Sequence, residues 1–303
     1  MLTMTFLGVG SAFAKRNYNS NLLFEFWEEP WPGPAPAGPP DDTLLVDFGA
    51  TGPLALYALK ERSGFEYLKT PQGRINYPAL RKVFITHLHA DHIGGLEEMA
   101  LVNAFVFNDK KSGEPFKAEV ISSVNILMDL WEHSLKGGLS TLQHRYALLQ
   151  DYFLVRALVP AQPEKNSFRL GPYVFEAFPT DHVQIERKYD WPSYGLYVTD
   201  PQSGRSVFYS GDTRFDYPAY IKMLESAEVC FQDCQLFDQQ DPVHALLSEC
   251  RTLPAPIKAK MVLYHFGDNF DDPEFQPAFA EFKELARPQE RYVLFGCRGA
   301  TQG

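Results

Sequence analysis

The chain has 303 residues, 45% hydrophobic and 22% charged. That balance is ordinary for a soluble globular protein, with material for one large domain or two small ones and a sizeable core. Lys plus Arg number 28 against 38 for Asp plus Glu, a net charge of −10, which disfavours a long nucleic acid as partner while leaving room for a local basic groove.

No apolar run reaches bilayer-spanning length, so no membrane partner is expected. Met1 to Ala14 is apolar, but it lacks a basic leading segment and alternates like a strand, so it does not read as a signal peptide. A cytoplasmic enzyme is the expectation. The four cysteines, Cys230, Cys234, Cys250 and Cys297, form no CxxC pair. In a chain of this length they read as reduced core thiols.

In chain order, the alternation of Thr3 to Leu7 predicts a first strand, followed by the glycine-bearing loop Gly8-Val9-Gly10-Ser11-Ala12 and a second strand, Asn21 to Phe26. Prolines between Glu28 and Asp42 exclude regular structure and mark an insertion loop. Thr43 to Asp47 is a third strand, closed by Asp47-Phe48-Gly49. Leu54 to Arg62 and Tyr77 to Lys82 look helical, and Val83 to Thr86 is a short β-branched buried strand. A helix is expected from Leu96, then a strand Ala118 to Ser122. Another helix follows over Asn125 to Leu135, with Asn125 as N-cap and Gly137-Gly138 as stop. Leu142 to Val155 reads as a second helical stretch, and the sequence leaves open whether it serves as core, lid or dimer surface.

Further strands are expected at Leu154 to Val159, Val174 to Pro179, Gly195 to Thr199, Ser206 to Ser210, Val229 to Gln232, Met261 to Tyr264 and Tyr292 to Phe295. Helices are expected at Tyr217 to Ser226, His244 to Glu249 and Pro277 to Leu285. Strands and helices mix throughout, in two halves, without a strict βαβ repeat.

One stretch stands apart. His87, His89, Asp91 and His92 fall within six residues, directly after the strand Val83 to Thr86. The ends of strands are where open α/β folds hold their sites, and neutral imidazole with carboxylate suits Zn, Fe or Mn. His182, Asp212 and His265 each lie just past another apolar strand. Any one of them alone would read as a strand-end surface group. Together they converge on one edge if those strands share it.

The pattern His87-Leu88-His89-Ala90-Asp91-His92, followed in order by single His182, Asp212 and His265, resembles the metallo-β-lactamase superfamily over nearly the whole chain. The resemblance implies an α/β fold, an αββα sandwich of two mixed β-sheets flanked by helices. It implies a single domain spanning 1–303, with insertions at about 28–42 and 96–160. It also implies two divalent metal ions, zinc first with manganese or iron as alternatives. His87, His89 and His182 would bind one ion, Asp91, His92 and His265 the other, and Asp212 both. A metal-bridging hydroxide would then attack an electrophilic phosphorus or carbon, with Asp91 as an orienting base.

Three stretches look more like the ribonuclease Z-like phosphodiesterase branch than like the lactamase, glyoxalase or lactonase branches. They are Phe6 to Phe13 with Asn19-Ser20-Asn21, then Ser210-Gly211-Asp212-Thr213-Arg214, and Val243 to Glu249, which keeps only the His and the Glu of its motif. In that branch the third motif supplies a proton donor backed by a carboxylate. Here the candidates are His244 and Asp233. Transfer-RNA-processing members carry a long arm between the single His and the bridging Asp. Here thirty positions separate His182 from Asp212 and a hairpin takes most of them.

The expected substrate is therefore a small phosphodiester such as a cyclic nucleotide. The alternatives are RNA 3′ processing, or a lactone or thioester hydrolase of the same fold. A redox scaffold ranks below these, since neither an acid replacing a ligand histidine nor a flavin domain is evident. A homodimer is compatible with the chain. Trp27, Trp31 and Trp131 are candidates to stack on a base, against the plainer reading as packing residues.

Overall fold

The computed structural model describes residues 1–29, 31, 36, 38–108, 114–160, 162–186 and 191–296. The chain divides into two compact units, one of Met1–Leu7, Asn21–Leu158 and Gln289–Gly303, the other of Gly8–Ser20 and Val159–Pro288.

The first unit is built on Leu2–Phe6 (β1), Leu22–Phe26 (β2), Asp42–Val46 (β3), Lys82–Phe84 (β4), Glu119–Ser123 (β5), a small ribbon of Thr141–Leu142 (β6) and Arg145–Tyr146 (β7), then Leu154–Leu158 (β8) and, from the end of the chain, Arg291–Phe295 (β16). Its seven-stranded sheet has the order β16-β1-β2-β3-β4-β5-β8. The first four strands pair antiparallel and the rest parallel. Parallel neighbours need a crossover, and the crossovers carry the helices Gly52–Leu59 and Leu96–Phe105 and the helical run from Val124 to Leu139. β1 and β2 are buried at every position, as strands covered on both faces must be.

The second unit holds Ser167–Leu170 (β9), Tyr173–Thr180 (β10), Ser193–Thr199 (β11), Ser206–Tyr209 (β12), Val229–Asp233 (β13), Met261–Tyr264 (β14) and Glu284–Leu285 (β15). It follows the same plan: β9 to β12 are antiparallel neighbours, and β13, β14 and β15 extend the sheet in parallel. Since β10 and β12 flank β11 antiparallel, they run the same way. The C-terminal ends of β10, β12, β13 and β14 therefore share one edge. In the first unit, β3 and β4 end together likewise. Both sheets are mixed and carry helices, which makes the fold α/β. Among the described residues no helix is long and apolar enough to cross a membrane.

Several local expectations are corrected. Leu142 to Val155 is not one helix. It is the β6–β7 ribbon, turned at His144 with φ +67°, one helical turn Leu149–Tyr152 and the edge strand β8. Short apolar runs fit either period, and the parallel pairing of β8 with β5 decides between them. Pro277 to Leu285 gives only the turn Gln276–Phe279 before β15, and Tyr77–Ala79 is a single 3₁₀ turn. The helix expected over Asn125 to Leu135 is capped by Ser123 and not by Asn125, the Ser123 hydroxyl accepting from the Ile126 amide at 3.3 Å. It continues through the glycines to Leu139, and Gly138 lies against the Glu97 carboxylate, where a Cβ would sit 2.2 Å from it. Cys230, Cys234 and Cys250 are buried free thiols, as expected, while Cys297 and much of Glu28 to Asp42 lie outside the described residues.

Glu25 on β2 is fully buried inside the first unit. Arg291 on β16 meets it with two hydrogen bonds of 2.7 Å, and the Tyr67 hydroxyl donates to it at 2.7 Å. The guanidinium lies 3.8 Å from the Phe65 ring centre and 5.5 and 5.4 Å from the rings of Trp27 and Trp31. Those tryptophans meet edge to face at 4.7 Å, so they pack on the ion pair. Trp131 is buried too. Removing one partner of such a pair leaves an uncompensated charge, which typically costs about 3–5 kcal/mol. Arg291→Ala should therefore lower unfolding stability by about that much in denaturant titrations. The double variant Glu25→Leu/Arg291→Met should recover most of the loss. Equal losses in the two would mean that the pair's charge is not what is at stake.

Candidate metal centre

In the first unit the chain leaves β4 through Thr86 and His87, and His89 starts the single helical turn Ala90–Ile93. That turn is clamped from behind. Gly49 sits so close to it that a Cβ would lie 1.7 Å from the Asp91 carbonyl oxygen. The Phe48 amide donates to the His92 carbonyl at 2.7 Å, and the Asn21 side chain bridges the Asp91 carbonyl and the Gly49 amide at 3.1 and 2.8 Å. His87, Asp91 and His92 are buried and His89 half-buried.

Asp47, just past β3, fixes the imidazoles. Its Oδ2 accepts from the Thr86 hydroxyl and from His92 Nδ1, both at 2.7 Å, and its Oδ1 accepts the Thr86 amide at 2.8 Å. Because Thr86 gives its hydroxyl proton to Asp47, its oxygen accepts from His87 Nδ1, 2.9 Å away. Both His87 and His92 are thereby left with a bare Nε2. His87 Nε2 faces His89 Nδ1 at 3.0 Å, and His92 Nε2 faces Asp91 Oδ2 at 3.2 Å.

The second unit repeats the device. The Ser20 hydroxyl donates to the Gly10 carbonyl at 3.0 Å, so its oxygen accepts from His265 Nδ1 at 3.1 Å. The bare His265 Nε2 then lies 3.3 Å from Asp212 Oδ2. His182 donates Nδ1–H to the Val243 carbonyl at 2.6 Å. The Asp212 carbonyl is held by Thr180 and Ser193 hydroxyls at 3.3 and 3.2 Å. Asp233, the last residue of β13, accepts the Thr213 amide at 3.0 Å and His244 Nδ1 at 2.8 Å on one oxygen. The His244 ring centre lies 5.0 Å from that of His182 and 4.8 Å from that of His265. Ligand atoms of Asp212, Asp233, His244 and His265 all fall within 4.8 Å of one another.

These contacts test the donor set. A bare ring nitrogen 3.2–3.3 Å from a carboxylate oxygen brings electron-rich atoms together. A shared cation with bonds of about 2.0–2.2 Å relieves that repulsion. His87, His92, His182 and His265 are also oriented through their other nitrogen, the usual arrangement around metal ligands. The residues fit a divalent ion. Burial pushes the carboxyls of Asp47 and Asp233 above the usual range, and their histidine partners pull the other way. Asp47 and His265 also sit at φ +63° and +66°, a left-handed conformation that costs non-glycine residues and recurs at functional sites.

A family model described as Anti-Pycsar protein Apyc1 matches residues 2–292. The chain belongs to the Apyc1 family. The Anti-Pycsar protein Apyc1 of Paenibacillus harenae is 33% identical over 290 residues, covering 95% of this chain and 98% of that protein. The protein of that name from Bacillus phage vB_BsuM-Goe3 is 33% identical over 274 residues, covering 89% and 90%. Among solved structures, the metallo-β-lactamase fold protein YhfI from Bacillus subtilis superposes with a TM-score of 0.62 at 18% identity, covering 96% of this chain and 98% of that one. Unliganded yeast PDE1 superposes with a TM-score of 0.64 at 13% identity, covering 96% and 98%. The metallo-β-lactamase fold expected from the histidine motif is thus the fold of this Apyc1-family chain.

Of the residues singled out in the sequence, His87, His89, Asp91 and His92 lie in the first unit, and His182, Asp212, Asp233, His244 and His265 in the second. Asp47 was passed over as a site residue. Its signal was an acid followed closely by a glycine at a strand end, too common to stand out alone. Asn21 and Ser20 carried only a resemblance, and the structure gives each a hydrogen-bonding task. Glu249 keeps its place in the weak third motif by capping its own helix, accepting from the Leu246 amide at 2.9 Å.

Asp47→Asn should preserve the fold, since Asn tolerates positive φ, while loosening the orientation of His87 and His92. Losing such an outer partner costs about 10- to 100-fold in metal affinity. Competition against a chelating dye should register that loss. Unchanged affinity would remove Asp47 from the site.

Proposed function

We propose that the chain is a metal-dependent phosphodiesterase acting on a small phosphodiester such as a cyclic nucleotide. We also propose for it the anti-Pycsar role that its relatives' names state of them. The observation that carries this reading is the hydrogen bond between His244 and the buried carboxylate of Asp233 beside the Asp212–His265 pair. In this proposal both units form one catalytic domain. His87, His89 and His182 hold one divalent ion, Asp91, His92 and His265 another, and Asp212 both, in the order that the resemblance implies. Zinc is the first choice, with manganese or iron compatible with the same donors. Such ions, when bound, would lower the pKa of water from about 15.7 toward about 7 and offset negative charge on the phosphoryl oxygens.

The chain's own residues supply the rest. Asp91 orients the attacking water as a base. As an imidazolium, His244 gives Nδ1–H to Asp233 and carries its second proton on Nε2, where it is available to a departing alkoxide. Asp233 favours that charged form and fixes the ring. The same carboxylate holds the Thr213 amide, so the proton donor and the loop bearing Asp212 share one anchor. Between His182 and Asp212 the described residues go mainly to β11, its turn and β12. That supports a small substrate over one gripped by a protruding arm, as does the net charge of −10.

The test is hydrolysis of a cyclic nucleotide and of bis-p-nitrophenyl phosphate beside a thioester and a lactone, with metal content measured in parallel. Diester cleavage should dominate. His87→Ala and Asp212→Ala should keep their circular dichroism but lose metal and nearly all activity. Preference for the lactone or thioester would overturn the substrate class, and full activity in both variants would overturn the ligand set.

A second expectation isolates His244. A positioned proton donor contributes roughly 10²–10⁴-fold. His244→Ala should retain its metal and slow the cyclic diester by about that factor. It should slow p-nitrophenyl esters far less, because p-nitrophenolate departs unprotonated. Equal losses on both substrates would assign His244 to binding, and no loss on either would assign it no role.

A further inference from the structure

We propose that Phe13 and Phe237 form a clamp for the nucleobase of the substrate, at the mouth of a cavity whose other end is His244 and His265. The inference rests on the phosphodiesterase reading above and names the part of the substrate that reading leaves open. The cavity lies within the second unit and has a volume of about 420 Å³, within the range typical of small-ligand sites. Phe13, Phe237, Gln239, His244 and His265 line it.

Phe13 is 89% exposed and Phe237 56% exposed. Large apolar side chains left in water on a soluble protein most often mark a binding surface when they cluster. Neither is exposed because its loop is loose. Beside Phe13, Ala14 is buried, the Ser11 amide donates to the Phe266 carbonyl at 3.1 Å, and the Lys15 and Arg16 amides donate to the Asp268 carboxylate at 2.7 and 2.9 Å. Arg16 is tied in turn to Asp271. Beside Phe237, Leu236 is buried, the Gln235 amide donates to the Ala245 carbonyl at 2.8 Å, and its side chain donates to the Phe237 carbonyl at 2.9 Å. Both rings thus stand on pinned backbone and open to solvent.

Exposure rises along the lining from His265 at 2% to Phe237 and Phe13. The buried imidazole and its neighbour His244 suit a phosphoryl group and its leaving oxygen. The exposed part offers two flat apolar faces and the Gln239 amide, a donor and acceptor for a polar edge. A nucleotide has this polarity, with a charged phosphodiester at one end and a flat base at the other. Base stacking on an aromatic side chain is worth a factor of roughly 5 to 150 in affinity.

The experiment compares kcat/KM for a 3′,5′-cyclic nucleotide with kcat/KM for 1-O-methylribose 3′,5′-cyclic phosphate, which has the diester but no base. Phe13→Leu and Phe237→Leu keep an apolar group but lose the ring, and both sites are exposed enough for the fold to persist. Each should cut the preference for the nucleotide by roughly 5- to 150-fold, and Phe13→Tyr and Phe237→Tyr should restore it. Calorimetry of a nucleoside 5′-monophosphate against ribose 5-phosphate gives a readout independent of turnover, and the Leu variants should erase the nucleotide's advantage there too. Cleavage of both diesters with an unchanged preference in both Leu variants would overturn the clamp. If wild-type protein cleaves neither diester, the phosphodiesterase reading falls. The clamp is then judged by calorimetry, where a nucleotide bound no tighter than ribose phosphate overturns it and an advantage lost in the Leu variants supports it.

Discussion

Two buried carboxylates, each with a main-chain amide and an imidazole in its grip, set the geometry on which the histidine clusters depend. Asp47 follows β3 and Asp233 ends β13. Each accepts the amide of a residue leaving the neighbouring parallel strand, Thr86 after β4 and Thr213 after β12, and each accepts Nδ1 of a histidine, His92 or His244. A buried carboxylate without partners is costly, and the effective penalty is several kcal/mol per ion even after relaxation. The amide and imidazole offset that cost only in one geometry. Satisfying the carboxylate and orienting the histidine are therefore the same event, repeated once in each sheet.

This explains what was legible in the chain. His87 to His92, His182, Asp212 and His265 could be read because their chemistry is rare and each follows an apolar strand. The strands themselves follow the period-2 or continuous apolar pattern that buried sheets require. Asp47 could not be read the same way. An acid at a strand end is common, and its role exists only once β3 and β4 lie side by side. The misread segments share another cause. Leu142 to Val155 and Pro277 to Leu285 hold apolar residues at intervals that suit a helix. Yet Leu154–Leu158 and Glu284–Leu285 are claimed by the parallel-paired edges of two mixed sheets. Non-local pairing overrides local preference there, and nothing within the segment announces it.

The glycine-bearing loop after β1 invites reading as a phosphate cradle, but its backbone is otherwise engaged. Val9 donates its amide to the Asn17 carbonyl and accepts the His265 amide at 2.8 Å, and Gly10 accepts from the Ser20 hydroxyl that orients the His265 ring. His265 is held at positive φ, a strain of order 1–3 kcal/mol that persists only where surroundings over-determine it. The loop supplies that over-determination from both sides, on the main chain and on the ring. The same segment, Gly8 to Ser20, carries Phe13 outward three residues beyond Gly10. Whatever moves this loop changes the aim of His265 and the position of the Phe13 ring together. An apolar face carried on this loop and an imidazole held by it cannot drift apart independently. The rigidity that holds His265 is thereby passed to the aromatic face, which an exposed phenylalanine on a free loop would not have.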